Sequence, residues 1–132
     1  MSALVFMSRE HVDRMNDLLA GSADVLAACA DLDREYEIVY ELRNGPDGTV
    51  YWVLRFDRAS GARFSLNRTQ NADLTYVGDW AEVIRSSRAA RNGERVEPSL
   101  EVRGDPSVTD RVGTAYAAAQ RVATIPVEFP GV

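Results

Sequence analysis

The strongest constraint on the fold is a period-two alternation of apolar and charged residues in the first half of the chain. From Glu35 to Arg43 every even position is apolar, and four of the five odd positions are charged. The alternation recurs in Val50–Asp57 and, in shorter form, in Arg63–Asn67. Because side chains alternate between the two faces of a strand, these segments predict three strands that share one apolar face. Turn-forming residues at 44–48 and 60–61 separate them and predict an antiparallel meander.

Helical periodicity precedes the meander. Behind Ser8, and again behind Ser22, apolar residues recur every three or four positions. A serine at the start of such a stripe can accept a hydrogen bond from a free backbone N–H group. The first 32 residues are therefore predicted to form two serine-capped helices, each with one face towards the core.

Strand and helix signals alternate after the meander. A short strand at 74–77 leads into a helix that Asp79 caps, and a strand at 100–103 leads into a single final helix that an Asp-Pro pair at 105–106 begins. A sheet with one apolar face requires helices on that face alone. We therefore predict an α+β fold in a single domain (1–132), a two-layer sandwich in which helices cover one face of a five-stranded, largely antiparallel sheet.

Composition narrows the classes of partner. The net charge is −5 with no basic block, which argues against nucleic acid as a partner. No apolar run approaches the length of a membrane span, so we expect no integral membrane contact and a cytoplasmic location. All 15 basic residues are arginine, a bias typical of a GC-rich bacterial genome. With one cysteine and one histidine, no metal site and no cofactor are expected.

Three short motifs in the second half resemble the sterol carrier protein 2 family. They are Ala72-Asp73-Leu74-Thr75, then Gly78-Asp79-Trp80 at the start of a helix, then Leu100-Glu101-Val102-Arg103-Gly104-Asp105 before the last helix. Motif-level similarity covers about residues 72 to 122. The resemblance implies a fold like that of sterol carrier protein 2, with a hydrophobic tunnel between sheet and helices. It also implies non-catalytic binding of a sterol, a fatty acid, an acyl-coenzyme A ester or a related lipid.

The apolar residues of the facing surfaces have two interpretations. Periodicity alone indicates a packed core, whereas the resemblance implies that they line a ligand tunnel. On the second interpretation the expected ligand-binding residues are Trp52, Leu54, Phe56, Phe64, Leu66, Trp80, Ile84, Leu100, Val112 and Tyr116.

Two other function classes stay open at this point. A small cavity enzyme of the cyclase or isomerase type would act on a lipid or polyketide-like substrate. Its acids and bases would have to come from Tyr36, Tyr40, Tyr116, Asp73 or Asp79. An interaction protein with a filled core would need no cavity. A homodimer or a partner enzyme is compatible with each class.

Several polar and surface residues carry weaker expectations. His11, in the first turn of the first helix, is expected to be solvated. The arginines between 85 and 95 form either a solvated face or a basic rim for an acidic head group. Val39, Tyr51 and Val53 interrupt the charged face of the sheet and predict a small exposed apolar patch, a candidate self-association surface.

Overall fold

A computed structural model of the chain describes residues 4–67 and 72–130. The strands are β1 (Tyr36–Gly45), β2 (Gly48–Asp57), β3 (Gly61–Ser65), β4 (Leu74–Asp79) and β5 (Glu101–Gly104). The helices are α1 (Arg9–Ala20), α2 (Ala23–Ala30), α3 (Trp80–Arg91), α4 (Val108–Arg111) and α5 (Gly113–Ala123).

The strands form one sheet in the order β3-β2-β1-β4-β5. The β1–β4 pair is parallel and the other three pairs are antiparallel. Helices α1 and α2 lie against β3, α3 lies against β1 and β4, and α5 contacts both α1 and α2. The predicted α+β sandwich with a largely antiparallel five-stranded sheet is therefore confirmed.

Three predicted helix caps form where the sequence places them. Ser8 Oγ accepts a hydrogen bond from the His11 N–H group at 3.2 Å, and Ser22 Oγ accepts one from Val25 N–H at 3.3 Å. An Asp79 carboxylate oxygen accepts one from Glu82 N–H at 3.2 Å. These bonds satisfy backbone donors that the first turn of each helix leaves free.

The predicted single final helix is wrong in detail, since the segment forms two helices. Helix α4 begins at Val108 rather than at the Asp-Pro pair, without a side-chain cap, and ends at Arg111. Helix α5 begins at Gly113 after a break at Val112. Glycine is a poor helix former, which favours an interruption at this point.

The predicted exposed patch on the outer face of the sheet is also wrong. Val39 pairs directly with Val53, and the two residues are only 4% and 2% exposed. Their same-face neighbours along the strands include Glu41 and Arg55, whose long side chains can cover apolar surface while their charged ends stay in water.

Asp73 joins three strands of the sheet. Its carboxylate accepts hydrogen bonds from the Glu37 N–H group at 2.9 Å and from Arg34 at 3.0 Å. Its carbonyl oxygen accepts one from Asp105 N–H at 3.0 Å. Gly104 has a φ of 92°, and a Cβ atom there would lie 2.5 Å from the same carbonyl oxygen. The Ala-Asp and Gly-Asp motifs therefore hold β1, β4 and β5 together at this point of the sheet.

The Gly104→Ala substitution is expected to lower the free energy of unfolding by about 3 kcal/mol, because it adds both an unfavourable φ and a backbone clash. Gly93→Ala is the matched control, since Gly93 also has a positive φ of 79° but has open space around it. The control should cost only about 1–2 kcal/mol. Urea unfolding of the two variants measures the difference, and equal losses would contradict the assigned contact.

Candidate functional site

An apolar cavity of about 400 Å³ lies between the sheet and helices α1, α3 and α5. Its sheet side carries Tyr40, Trp52, Leu54 and Phe64. Its helical side includes Met15 of α1, Val83 and Arg91 of α3, and Tyr116, Ala119 and Ala123 of α5. The volume falls within the range of small-molecule sites, and the lining is mainly aliphatic and aromatic.

A second cavity of about 240 Å³ adjoins the first towards β4 and α4. Tyr40, Leu54 and Tyr116 line both cavities. The remaining lining residues of the second cavity are Ile38, Tyr76, Thr109 and Val112. Because these three side chains lie between the two cavities, their positions determine whether a ligand can extend from one cavity into the other.

Short side chains on α5 contribute to the open space. The buried residues of this helix are all alanine, namely Ala115, Ala118, Ala119 and Ala123. Ala119 and Ala123 face the larger cavity, across from the large side chains of Trp52 and Leu54. An alanine extends only to Cβ, so it cannot fill the layer between helix and sheet.

The ten residues that the resemblance implies for ligand binding fall into three groups in the structure. Six of them line the two cavities: Trp52, Leu54, Phe64, Leu100, Val112 and Tyr116. Three are buried in the core and line neither cavity: Phe56, Trp80 and Ile84. Leu66 is half-buried and lines a polar depression with Asn16 and Arg63, which shares Phe64 with the larger cavity.

His11 lies inside the protein, and the expectation that it is solvated is wrong. It is 1% exposed and lines the larger cavity. Its ring stacks on Trp52 with a centroid distance of 5.9 Å and an interplanar angle of 21°. Its Nδ1 accepts a hydrogen bond from the Met7 N–H group at 3.0 Å, so the neutral ring carries its proton on Nε2. Within the described residues, Nε2 has no hydrogen-bond partner.

Burial keeps the His11 ring neutral. Desolvation, followed by repulsion from the Arg91 guanidinium, lowers the pKa of His11 to about 4. A buried imidazole resists protonation because the charged form loses its hydration. At neutral pH His11 is therefore an uncharged imidazole in the cavity lining, and its Nε2–H group has no acceptor within the described residues.

Tyrosine hydroxyls supply further polar atoms around the cavities. Tyr40 and Tyr76 pack with a ring-centroid distance of 5.0 Å. Burial raises the pKa of both Tyr40 and Tyr116, so both phenols are un-ionised at neutral pH. Gln120 donates a hydrogen bond to the Tyr116 hydroxyl at 3.4 Å. These groups can bond to an oxygen of a ligand without adding charge.

The arginine-rich segment contributes one residue to the larger cavity. Among the described lining residues, Arg91 is the charged one, and no carboxylate accompanies it. Its Nη1 donates a hydrogen bond to the Ile125 carbonyl oxygen at 2.6 Å, which holds the guanidinium at the exposed end of the cavity. Arg85, Arg88 and Arg95 are exposed.

The residues considered for an enzyme do not converge on the cavities. Asp79 caps α3 and accepts a hydrogen bond from Asn44, while Asp73 holds the sheet junction. The Tyr36 hydroxyl is paired with Asp33 and Arg111. Of the five residues considered, Tyr40 and Tyr116 line the cavities, both as un-ionised phenols. These five residues therefore give no support to the acid–base reaction considered above.

The described residues contain neither a cluster of metal ligands nor a helix that could span a membrane. No group of three or more histidine, cysteine, aspartate or glutamate side chains in residues 4–67 and 72–130 could hold a metal ion. In the same part of the chain, no helix has both the length and the hydropathy needed to cross a bilayer.

Comparison with solved structures identifies the fold. The chain matches the crystal structure of sterol carrier protein 2 with a TM-score of 0.55 and 19% identity, over 93% of this chain and 99% of that chain. It matches a conserved hypothetical protein of Thermus thermophilus, a candidate sterol carrier protein, with a TM-score of 0.56 and 18% identity, over 93% and 90% of the two chains. No protein-family model and no curated protein matches the chain. The chain therefore has the fold that its short motifs indicate.

The buried histidine predicts a pH dependence of stability. The unfolded chain binds a proton near pH 6.5 and the folded chain only near pH 4, so the contribution of His11 is complete above pH 6.5 and is lost as the pH falls towards 4. The loss amounts to about 3 kcal/mol relative to His11→Gln, which does not titrate. Urea unfolding of both proteins between pH 7.5 and 4 measures it, and NMR titration of the one histidine gives its pKa directly. A pKa near 6.5 would contradict the burial.

Proposed function

We propose that the protein binds an apolar ligand in the cavity between the sheet and helices α1, α3 and α5, and carries or presents it without chemistry. The ligand class is a sterol, a fatty acid, an acyl-coenzyme A ester or a related lipid. The observation that carries the proposal is the apolar cavity of about 400 Å³, set within a fold shared with sterol carrier protein 2. The name of that solved structure supports a sterol, and the resemblance of the three short motifs implies the other lipids of the class.

In this proposal, the free energy of binding comes mainly from the burial of ligand hydrocarbon in the two cavities. Burial of ligand hydrocarbon contributes about 0.8 kcal/mol per methylene, which is about a fourfold gain in affinity for each added carbon. We propose that the second cavity continues the first past Tyr40, Leu54 and Tyr116, so that the two form one tunnel for an extended chain. Together they would hold more hydrocarbon than the first cavity alone.

A series of saturated fatty acids from eight to sixteen carbons tests this proposal. With delipidated protein and ligands below their micelle-forming concentrations, affinity should rise about fourfold per methylene until the tunnel is full, and then level off. Calorimetry measures affinity, and the emission of Trp52, which lines the cavity, reports occupancy. The Trp52→Phe variant should lose most of this emission change. No binding at any chain length would overturn lipid carriage for this class.

Cavity-filling variants locate the binding. Ala119→Phe places a phenyl ring in the larger cavity, whereas Ala117→Phe places one on the exposed side of the same helix. The first variant should bind dodecanoate at least tenfold more weakly, and the second should match the original protein. Circular dichroism checks that both are folded, and Ala119→Leu replaces Ala119→Phe if the larger ring prevents folding. Equal affinities for the filled variant and its control would place any binding elsewhere.

A further inference from the structure

The structure leaves one buried polar atom without a partner among the described residues, and it belongs to a side chain that lines the larger cavity. That atom is His11 Nε2. Buried donors are nearly always hydrogen-bonded in proteins, to the chain itself, to water or to a ligand. The unpaired N–H group of a side chain that lines a cavity is therefore a candidate donor to a ligand that carries an acceptor.

The His11 ring is held in place from two sides. Nδ1 accepts the Met7 N–H group at 3.0 Å, and Trp52 stacks on the ring face. Met7 has a φ of 64°, a conformation that non-glycine residues rarely adopt. Rotation of the ring would break the bond to Met7, so Nε2–H is a preorganised donor with a fixed direction.

The charge around His11 favours an anionic acceptor. The cavity lining combines the neutral imidazole with the Arg91 guanidinium and, within the described residues, contains no carboxylate. Arg91 donates one hydrogen bond, from one of its five N–H groups, to the Ile125 carbonyl oxygen. A carboxylate close to both groups would receive a hydrogen bond from His11 and electrostatic stabilisation from Arg91. A sterol hydroxyl would use the first interaction and gain little from the second.

We propose that His11 binds the polar end of the ligand and that this end is the carboxylate of a long-chain acid. The Nε2–H group donates to a carboxylate oxygen, with Arg91 at the exposed end of the cavity. The hydrocarbon chain extends past Leu54 towards Val112. The inference rests on the ligand binding proposed above and adds the orientation of the ligand and the group that selects it.

A comparison of dodecanoate with its methyl ester tests the proposal, because the ester keeps the chain and removes the charge. His11→Phe removes the donor and keeps a flat ring, whereas His11→Gln keeps both an acceptor for Met7 N–H and a donor. His11→Phe should weaken dodecanoate binding about tenfold and ester binding no more than about threefold. His11→Gln should recover most of the affinity for the acid. A purely structural role would lower both affinities by the same factor.

The contribution of Arg91 is separable from that of His11. Arg91→Gln should weaken the acid several-fold more than the ester at low ionic strength, and salt should reduce the difference. Arg88→Gln is the matched control, since Arg88 carries the same charge on the same helix but lies outside the larger cavity. Equal effects of the two substitutions would show that Arg91 makes no specific contribution to carboxylate binding.

An NMR experiment on the unmodified chain avoids any variant that fails to fold. Because the chain has one histidine, the 15N and 1H signals of its Nε2–H group are assigned without ambiguity. Carboxyl-labelled dodecanoate should shift these signals and show contacts between the ligand head and the imidazole. Failure of both acid and ester to bind would overturn the proposed binding of long-chain lipids. Binding of the acid with an unmoved His11 signal would overturn this inference alone.

Discussion

The interior of this protein depends on a mismatch between large side chains on the sheet and small side chains on α5. Trp52 and Leu54 project from β2 towards a helix whose buried face is made of alanine. Helix α5 cannot simply move inwards to fill the space, because it also packs on α1 and α2. An unfilled apolar space costs stability in proportion to its volume. A ligand that fills it would recover part of that loss, so binding and folding are thermodynamically linked.

The motifs that identify the fold act mainly through the backbone rather than through the cavity. Asp73 and Gly104 meet at the junction of three strands, and Gly78 leaves room for Leu100, whose Cδ2 would lie 2.6 Å from a Cβ at that position. Leu100 in turn lines the larger cavity. These motifs therefore fix the frame of the site and carry no information about which ligand the frame receives. In the proposed site, that choice falls to His11, Arg91 and the tyrosines.

Sequence patterns predict the features of the fold that depend on residues close together in the chain. Alternation predicted the three-stranded meander, and a single polar residue before an apolar stripe predicted each of three caps. The prediction that His11 is solvated is wrong because it assumes that a polar residue in a first helical turn faces water. The usable signal was its spacing, since His11, Met15 and Leu19 are four residues apart and all buried. The burial of Val39 and Val53 and the open space beside α5 depend on neighbours from distant segments, which periodicity does not encode.

The segment before α1 and the tail after α5 form a clasp, an isolated parallel β-bridge between Val5 and Glu128 beside the aromatic side of the cavity. Phe6 N–H donates to the Glu128 carbonyl oxygen at 2.8 Å, Glu128 N–H donates to the Leu4 carbonyl oxygen at 2.7 Å, and the rings of Phe6 and Phe129 pack at 4.9 Å. This contact closes a loop that spans nearly the whole chain, and the clasp has few bonds compared with the sheet. Structure of that kind opens with less free energy than a core strand. Transient separation of the two ends would expose the cavity wall at Phe6 while the sheet stays intact, which gives a bulky apolar molecule a route inwards that does not require unfolding.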